Sequence, residues 1–308
     1  MSKNKIIVVG IFVVDLSFKS SKLPMSGETV IGESYNIGPG GKGSNQCVAI
    51  ARAGGDVSLI ARIGDDEFGK MGLQLYENEN VGIEGLLITK DEKTGSATIS
   101  IDKNGMNSII VVPGASSGLT KEMVDQKLNL FKDSSIIITG FEIPLEITEY
   151  SLKVAKSKNL KSILNPAPYF NINQETYKLV DYLTPNEHEA SALTNIKIKT
   201  VDDARIAGKK ICELGVGTSI ITMGEKGVLC TRNSLDNDGM YLPSIKLKDR
   251  VIDTVGAGDV FNGAFATAIS EGKNLKESLF FANKAAAISV TKIGAALSSP
   301  YRGEINKV

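Results

Sequence analysis

The chain has 308 residues, 42% of them hydrophobic, and its 35 lysine and arginine residues balance its 35 aspartate and glutamate residues. A net charge of zero argues against a nucleic acid or an anionic membrane as partner, since both require a clustered basic excess. Three widely spaced cysteines and a single histidine, His188, argue against a disulfide framework or a His-rich metal site, and they are typical of a cytoplasmic protein.

The first apolar run covers residues 6–14. A short signal peptide has a similar core, but Asp15 interrupts this run and no small-residue cleavage site follows. We therefore predict a buried first strand, KIIVVG (5–10), in an opening run that ends at Asp15. No later apolar stretch approaches the roughly 20 residues that a membrane helix needs, so we expect no membrane segment.

Further apolar runs of strand length alternate with helical patterns along the chain. The predicted strands cover 57–64, 134–140, 161–168, 181–186 and 218–224, and the predicted helices cover 44–54, 147–159, 201–215, 260–272 and 275–294. Such alternation is typical of βαβ units. It predicts an α/β fold with helices on both faces of a mostly parallel sheet.

Two segments, about 16–38 and 94–112, interrupt this alternation. Both predict short strands with hairpin turns, and the second segment turns at 103–105. Their alternating polar and apolar residues suit a sheet that is covered on one face only. We expect one domain, 1–308, in which these segments form a small β-sheet lid.

The first glycine-rich run, GPGGKGSN (38–45), contains the GxGxxG spacing of dinucleotide-binding proteins. Asp65 and Asp66 follow at the distance of a ribose-binding acid, so a nicotinamide-dependent oxidoreductase is one alternative. The preceding residues 33–37 are half polar, however, whereas that fingerprint follows a buried strand. A P-loop is excluded because Lys42 is followed by glycine instead of Ser or Thr.

The second run, GAGD (256–259), lies between a predicted strand end at 250–254 and a helix predicted to begin near Val260. Glycines allow several backbone N–H groups to converge at a helix start, where they bind anions. Such groups stabilise the charge that develops in phosphoryl transfer, and Asp259 could accept a proton from the attacking hydroxyl. From the residues alone, Asp259 could equally cap the helix.

Together, GGKGSN (40–45) and DTVGAGDVFNG (253–263) resemble the two signatures of the ribokinase-like carbohydrate kinases, the phosphofructokinase-B family. The resemblance covers essentially the whole chain, through further matches at 26–29, 141–146, 165–168, 184–190, 222–228 and 285–295. It implies a three-layer αβα sandwich with a β lid, which often forms a homodimer contact. It also implies transfer of the ATP γ-phosphate to the 5-hydroxyl of a pentose, D-ribose being the first expectation.

The resemblance also implies a role for individual residues. Asp259 matches the catalytic base, and Gly256, Ala257 and Gly258 match the anion hole. The matching sugar contacts are Asp15, Gly41, Lys42, Asn45 and Glu142. The matching ATP contacts are Asn186, Thr222, Gly224, Gly258 and Asn283, with Glu189 associated with Mg²⁺. A monovalent cation, usually K⁺, is implied near Asp253, Val255, Ser289, Lys292, Gly294 and Ser298.

The sequence departs from the family at Val13, where these kinases usually carry an asparagine that contacts the sugar. Valine cannot form a hydrogen bond, so a ribose hydroxyl facing it would lose about 1–3 kcal/mol. An apolar residue here is expected of a relative that acts on 2-deoxyribose, although an apolar pocket rejects an extra hydroxyl only about a hundredfold. D-ribose remains the expected substrate, and 2-deoxy-D-ribose is the alternative. A remoter alternative is a sugar-sensing protein that has the kinase fold but has lost the kinase activity.

Overall fold

The computed structural model describes residues 4–232, 239–247 and 249–308. Its strands are β1 (Lys5–Val9), β2 (Val13–Ser20), β3 (Gly32–Gly40), β4 (Val57–Gly64), β5 (Leu86–Thr89), β6 (Thr94–Ile101), β7 (Asn107–Gly114), β8 (Ser134–Gly140), β9 (Lys161–Asn165), β10 (Tyr182–Leu183), β11 (Thr218–Thr222), β12 (Val228–Arg232) and β13 (Met240–Leu242).

The helices are α1 (Lys42–Arg52), α2 (Glu67–Asn78), α3 (Lys121–Asp125), α4 (Leu128–Lys132), α5 (Leu145–Ser157), α6 (Gln174–Tyr177), α7 (Glu187–Thr194), α8 (Val201–Glu213), α9 (Ala257–Ser270), α10 (Leu275–Ser289) and α11 (Arg302–Lys307). Short 3₁₀ helices cover Ala115–Gly118, Gly224–Lys226 and Ala296–Ser298.

A large sheet of nine strands, in the order β13-β12-β11-β10-β9-β8-β1-β4-β5, forms the centre of the molecule. β12 runs antiparallel to both its neighbours, and all other pairings in this sheet are parallel. Successive residues of β1 point to opposite faces, as they must in a strand. Ile6 and Val8 pack with α1, α9 and α10, whereas Ile7 and Val9 pack with α3, α4 and α5. The predicted α/β sandwich of three layers is therefore confirmed.

The first apolar run forms two strands instead of one. β1 ends at Val9, and β2, which belongs to a second sheet, begins at Val13 and contains Asp15. The chain changes sheets at Gly10, where an added Cβ would lie 2.8 Å from the Cα of Gly43 in the first turn of α1. The predicted strand at 5–10 is thus confirmed as β1, but the opening run does not continue as one strand to Asp15, because the backbone must turn beside α1.

The second sheet, called the small sheet from here on, has four strands in the order β3-β2-β6-β7. β2 and β6 are parallel, and the two outer strands pair antiparallel with them. All four strands come from the segments around 16–38 and 94–112, although β2 begins at Val13 and β7 continues to Gly114. Between β6 and β7 the chain turns at Gly105, whose φ is 80°.

The structure corrects two predictions in the C-terminal part. Residues 250–254 do not form a strand; the N–H groups of Ile252 and Asp253 donate to the carbonyl of Val290 at the end of α10, at 2.8 and 3.2 Å. α9 begins at Ala257 instead of near Val260, because Gly256 adopts the left-handed conformation (φ 78°) that starts the helix. No helix in the described ranges is long and apolar enough to span a membrane.

Candidate functional site

Two of the predicted sugar contacts, Lys42 and Glu142, lie at the carboxyl ends of the central parallel strands, where ligands bind in open α/β sheets. Gly10 follows β1, Glu142 follows β8, and Asn165 ends β9. These residues line a small cavity together with Lys42 and Gln46 from α1. The cavity therefore lies between the sheet and the amino end of α1.

Glycines of the first run allow very close approaches between backbone segments. A Cβ on Gly40 would lie 2.4 Å from both carboxylate oxygens of Asp15, and one on Gly41 would lie 2.8 Å from the Ile11 carbonyl. Gly41 has a φ of 88° and precedes the first residue of α1. The strand before these glycines is β3 of the small sheet, so the arrangement is not the buried-strand turn of a dinucleotide site.

Asp259 lies in the first turn of α9, and its side chain is only 4% exposed. Its Oδ2 accepts a hydrogen bond from Asn45 Nδ2 at 2.9 Å, and its Oδ1 accepts one from Gln46 Nε2 at 3.2 Å. The residue before the helix is Gly256, and no side chain caps it. The capping interpretation of Asp259 is therefore wrong, and the carboxylate faces α1 instead.

The first turn of α9 provides the backbone groups expected of an anion hole. Gly256, Ala257 and Gly258 lie at this helix start. The Ala257 N–H donates to the Thr254 carbonyl at 3.3 Å, whereas those of Gly256 and Gly258 have no backbone carbonyl partner among the described residues. Gly258 has open space where a Cβ would stand. These donors lie beside Asp259, so an anion bound there would be adjacent to a proton acceptor.

Lys42 lies among four carboxylates, and its pKa is raised above its ordinary value, chiefly by the charge of Asp259 and further by those of Glu142, Glu189 and Asp15. Burial raises the pKa of Asp15 to about 6 and that of Glu142 to about 7, with the neighbouring charge of Asp259 adding to both shifts. Burial also raises the pKa of Asp259, against the opposing effects of Lys42 and of the two amides on α1. Perturbed groups clustered in a cleft are typical of a functional site.

Direct contacts bring the predicted sugar-binding residues together. The backbone N–H of Lys42, in the first turn of α1, donates to Glu142 Oε2 at 2.7 Å. Asn45 Oδ1 is buried and has no hydrogen-bond partner among the described residues. A buried acceptor without a partner is costly, so this oxygen is suited to a hydroxyl of a bound ligand.

Val13 shares one face of β2 with Asp15, since side chains alternate along a strand. Its side chain is 3% exposed and packs in the cluster that contains Ile7, Val9 and Ile11. The position at which the family usually carries asparagine is thus apolar in this protein and lies next to the carboxylate cluster.

The predicted nucleotide contacts lie at or just after the ends of β10 and β11 and on α10. Asn186 begins α7 and pairs with Thr222 at the end of β11, and Gly224 (φ 53°) follows with open space where a Cβ would stand. The backbone and side-chain N–H groups of Asn186 donate to the two carboxylate oxygens of Glu189, both at 2.9 Å. Asn283 on α10 donates its Nδ2 to the Pro243 carbonyl at 2.7 Å.

The residues predicted near a monovalent cation join two loops. The Asp253 carboxylate accepts from the N–H groups of Val255 and Gly294, both at 3.0 Å. The side chains of Ser289 and Ser298 donate to nearby carbonyls. The Lys292 ammonium group forms a salt bridge with Glu304 at 2.7 Å. Backbone carbonyls and one carboxylate are hard oxygen donors, which fit an alkali or alkaline-earth cation.

Gln46 and Asn165 were not predicted as site residues. Gln46 directly follows the matched motif GGKGSN (40–45), and Asn165 is the first residue of the matched motif NPAP (165–168). Which side chain of a motif faces the base depends on how α1 packs against α9, and a single sequence does not contain that information.

The comparisons with known proteins agree with this arrangement. The model of the pfkB family of carbohydrate kinases matches residues 3–302. The ribokinase of Haemophilus influenzae is 38% identical over 280 residues, which cover 90% of this chain and 89% of that protein. A deoxyribokinase of Salmonella typhi is 30% identical over 303 residues, covering 98% and 97% of the two chains.

A solved structure shows the same fold. Arabidopsis thaliana ribokinase, complexed with ribose and ATP, superimposes with a TM-score of 0.92 and 31% identity, covering 98% of this chain and 97% of that one. The nicotinamide-dependent interpretation of the first glycine run is therefore wrong. Because the family match spans nearly its whole length, the chain belongs to the pfkB family of carbohydrate kinases and is a sugar kinase.

Proposed function

We propose that this kinase transfers the γ-phosphate of ATP to the 5-hydroxyl of D-ribose. The observation that supports it best is the position of Asp259, a buried carboxylate beside the free N–H groups at the start of α9. The relatives support ribose, since the ribokinase of Haemophilus influenzae is more similar to this chain than the Salmonella deoxyribokinase is.

In the proposed reaction the sugar lies between β2 and the amino end of α1. Asp15, Glu142 and Asn45 provide acceptors for its hydroxyls, and the Lys42 ammonium group beside Gly41 provides donors. Asp259 accepts the proton of the attacking hydroxyl, which typically contributes about 10²–10⁴-fold in rate. The N–H groups of 256–258 stabilise the transferring phosphoryl group.

ATP would be held by Asn186, Thr222, Gly224 and Asn283. Mg²⁺, bound with the ATP phosphates, would neutralise part of their charge. Because both Glu189 oxygens already accept from Asn186, Glu189 would reach Mg²⁺ through water, which suits an ion that retains its waters. K⁺ would bind to carbonyls of the loops around Asp253 and Gly294 and would hold the 253–259 segment in shape.

Asp259→Asn is the decisive test. The amide has nearly the same shape but cannot accept the hydroxyl proton, so we expect turnover to fall by at least about 10²-fold. ATP affinity, measured by calorimetry, should change little. Exposed Asp202→Asn on α8 serves as the matched control and should keep full activity. An Asp259→Asn variant with full turnover would refute the proposed base.

The alternative substrate, 2-deoxy-D-ribose, is favoured by one observation, the apolar Val13 beside Asp15. An ATP-consumption assay with a panel of pentoses distinguishes D-ribose from 2-deoxy-D-ribose as the preferred substrate. We expect the highest kcat/KM with D-ribose; a higher value with 2-deoxyribose would assign the chain to the alternative. No consumption with any sugar would favour the sugar-sensing role.

We also propose that 1–308 is one kinase domain, found in the cytoplasm, that forms a homodimer through the small sheet. A run of apolar side chains on β7, residues 109–112, is exposed, and Phe18 stacks on Tyr35 on neighbouring strands. Apolar patches of this kind mark interaction surfaces. A second copy is the natural partner, since a two-fold axis pairs the patch with itself.

The dimer is tested by light scattering after gel filtration. Ile110→Glu should give a monomer, whereas Ile206→Glu, at another exposed position, on α8, should leave the wild-type dimer intact. A wild-type monomer at all concentrations would contradict the proposal.

A further inference from the structure

The Asp259 carboxylate is held by two neighbouring amides of α1, only one of which was expected in the sugar site. Asn45 donates to Oδ2 and Gln46 donates to Oδ1, so each oxygen accepts one hydrogen bond. Both amide side chains are buried, Gln46 being 3% exposed. Rotation of the carboxylate would break both bonds, and its plane is therefore fixed relative to α1.

The close packing of α1 and α9 makes this contact possible. At Gly263, one turn after Asp259, an added Cβ would lie 2.6 Å from the Ala49 Cβ and 2.9 Å from the Gln46 carbonyl oxygen. The two helix backbones thus approach each other through a glycine. The separation between Gln46 and Asp259 is set by this backbone contact, and not by a long flexible side chain.

The two amides differ in what else they can bind. Asn45 has a buried Oδ1 without a partner in the described ranges, which leaves it available to a sugar hydroxyl. The Gln46 side chain makes its one hydrogen bond within those ranges to Asp259, and it lines the cavity near Glu142 and Asn165. Holding Asp259 is thus the polar function that the geometry gives to Gln46.

We infer that Gln46 is a positioning residue for phosphoryl transfer, which orients the Asp259 carboxylate toward the attacking sugar hydroxyl and keeps it an acceptor. The inference rests on the proposed role of Asp259 as the base. A hydrogen bond from a neutral amide stabilises the ionised carboxylate and leaves the second lone pair of Oδ1 free.

Other charged groups face Asp259 from every side of the site. Lys42 of α1 favours the ionised carboxylate, whereas Asp15 of β2, Glu142 after β8 and Glu189 of α7 oppose it. With three carboxylates against one ammonium group, the donors on α1 matter for keeping Asp259 ionised. Loss of the Gln46 donor should therefore raise the pKa of the base.

Gln46→Met removes the donor and keeps the length of the side chain. We expect kcat to fall about 10- to 100-fold, because a small misplacement of a catalytic group has effects of this size. The KM for sugar and for ATP should change less than about threefold, since the one hydrogen bond that Gln46 makes within the described ranges is to Asp259. The acid limb of the kcat/KM profile should move to higher pH. Gln74→Met on α2, an exposed glutamine, is the matched control and should match the wild type.

Gln46→Glu is the second variant, since it preserves the shape if the methionine variant does not fold. It places another carboxylate against Asp259, so its kcat should be lower than that of the methionine variant. A kcat within about twofold of the wild type in either folded variant would overturn the inference, because positioning effects are larger. A loss of kcat with an unchanged pH profile would also overturn the inference about Gln46.

Asp259→Asn, measured in parallel, separates this inference from the proposed function. If Asp259→Asn is inactive and Gln46→Met behaves as the wild type, the inference about Gln46 alone is refuted. If Asp259→Asn retains full turnover, the base itself is misassigned and the positioning role falls with it.

Discussion

The folded protein would be more stable if the side chain of Glu142 carried no charge. Burial raises its pKa from 4.5 to about 7, and although Lys42 lowers it, the charges of Asp259 and Asp15 add to the shift. At about 1.4 kcal/mol per pH unit, this difference corresponds to about 3 kcal/mol that ionised Glu142 costs the folded state. The cost exists because the carboxylate is largely removed from water.

We therefore predict that Glu142→Gln stabilises the protein at pH 8 by about 2–3 kcal/mol, measured by urea unfolding. The glutamine oxygen can still accept the hydrogen bond from the Lys42 N–H. The sign follows from proton binding: between pH 4.5 and about 7 the folded state holds more protons than the unfolded state, so wild-type stability falls as pH rises. Below pH 4 Glu142 is neutral in both states, and the advantage of the variant should vanish.

The same substitution should weaken the enzyme. An amide is a poorer acceptor than a carboxylate for a sugar hydroxyl, so the KM for sugar should rise about tenfold, while the KM for ATP stays nearly constant. Exposed Glu146→Gln on α5 is the control and should change stability by less than about 0.5 kcal/mol. An advantage of Glu142→Gln that is equal at pH 4 and pH 8, or absent at pH 8, would refute the electrostatic reasoning.

Three further changes test other parts of the site. Gly40→Ala should reduce kcat/KM for sugar at least about tenfold in a steady-state assay, because its Cβ would overlap the Asp15 carboxylate and displace it; an unchanged value would contradict that packing. Arg52→Leu should cost about 2–3 kcal/mol in urea unfolding, since it leaves the Glu79 side chain, which is only 10% exposed, without its partner; a loss under about 1 kcal/mol would refute that reasoning. Val13→Asn should raise the ratio of kcat/KM with ribose to kcat/KM with 2-deoxyribose about tenfold. An unchanged ratio would show that Val13 does not determine substrate specificity.

Much of the large sheet could be predicted because its strands are continuous apolar runs, such as 57–64 and 134–140, which became β4 and β8. β12 and β13 were missed because they are short, and their pairing with β11 depends on distant contacts that no local pattern records. The chain from Ile6 to Val14 looked like one strand because both halves are buried, each in a different sheet.

The site was predictable as a set of motifs but not as a geometry. The residues of GGKGSN and DTVGAGD were singled out together, yet their contact arises only because α1 and α9 meet at Gly263. The helix at GAGD begins three residues earlier than predicted, since the left-handed Gly256 starts it. That shift changes the interpretation of Asp259 from a residue that caps a helix to one that faces α1.

The arrangement around Asp259 explains why the protein retains costly charges. Four carboxylates share the positive charge of Lys42, so the site without sugar holds more negative charge than it neutralises. Hydroxyl donors from a bound sugar would satisfy Asp15, Glu142 and the free oxygen of Asn45, and they would relieve part of that cost. Affinity for a polyhydroxylated ligand and instability of the empty site then have the same origin. Sugar should therefore raise the unfolding temperature of the wild type more than that of Glu142→Gln, since the variant has less unfavourable charge for the ligand to relieve.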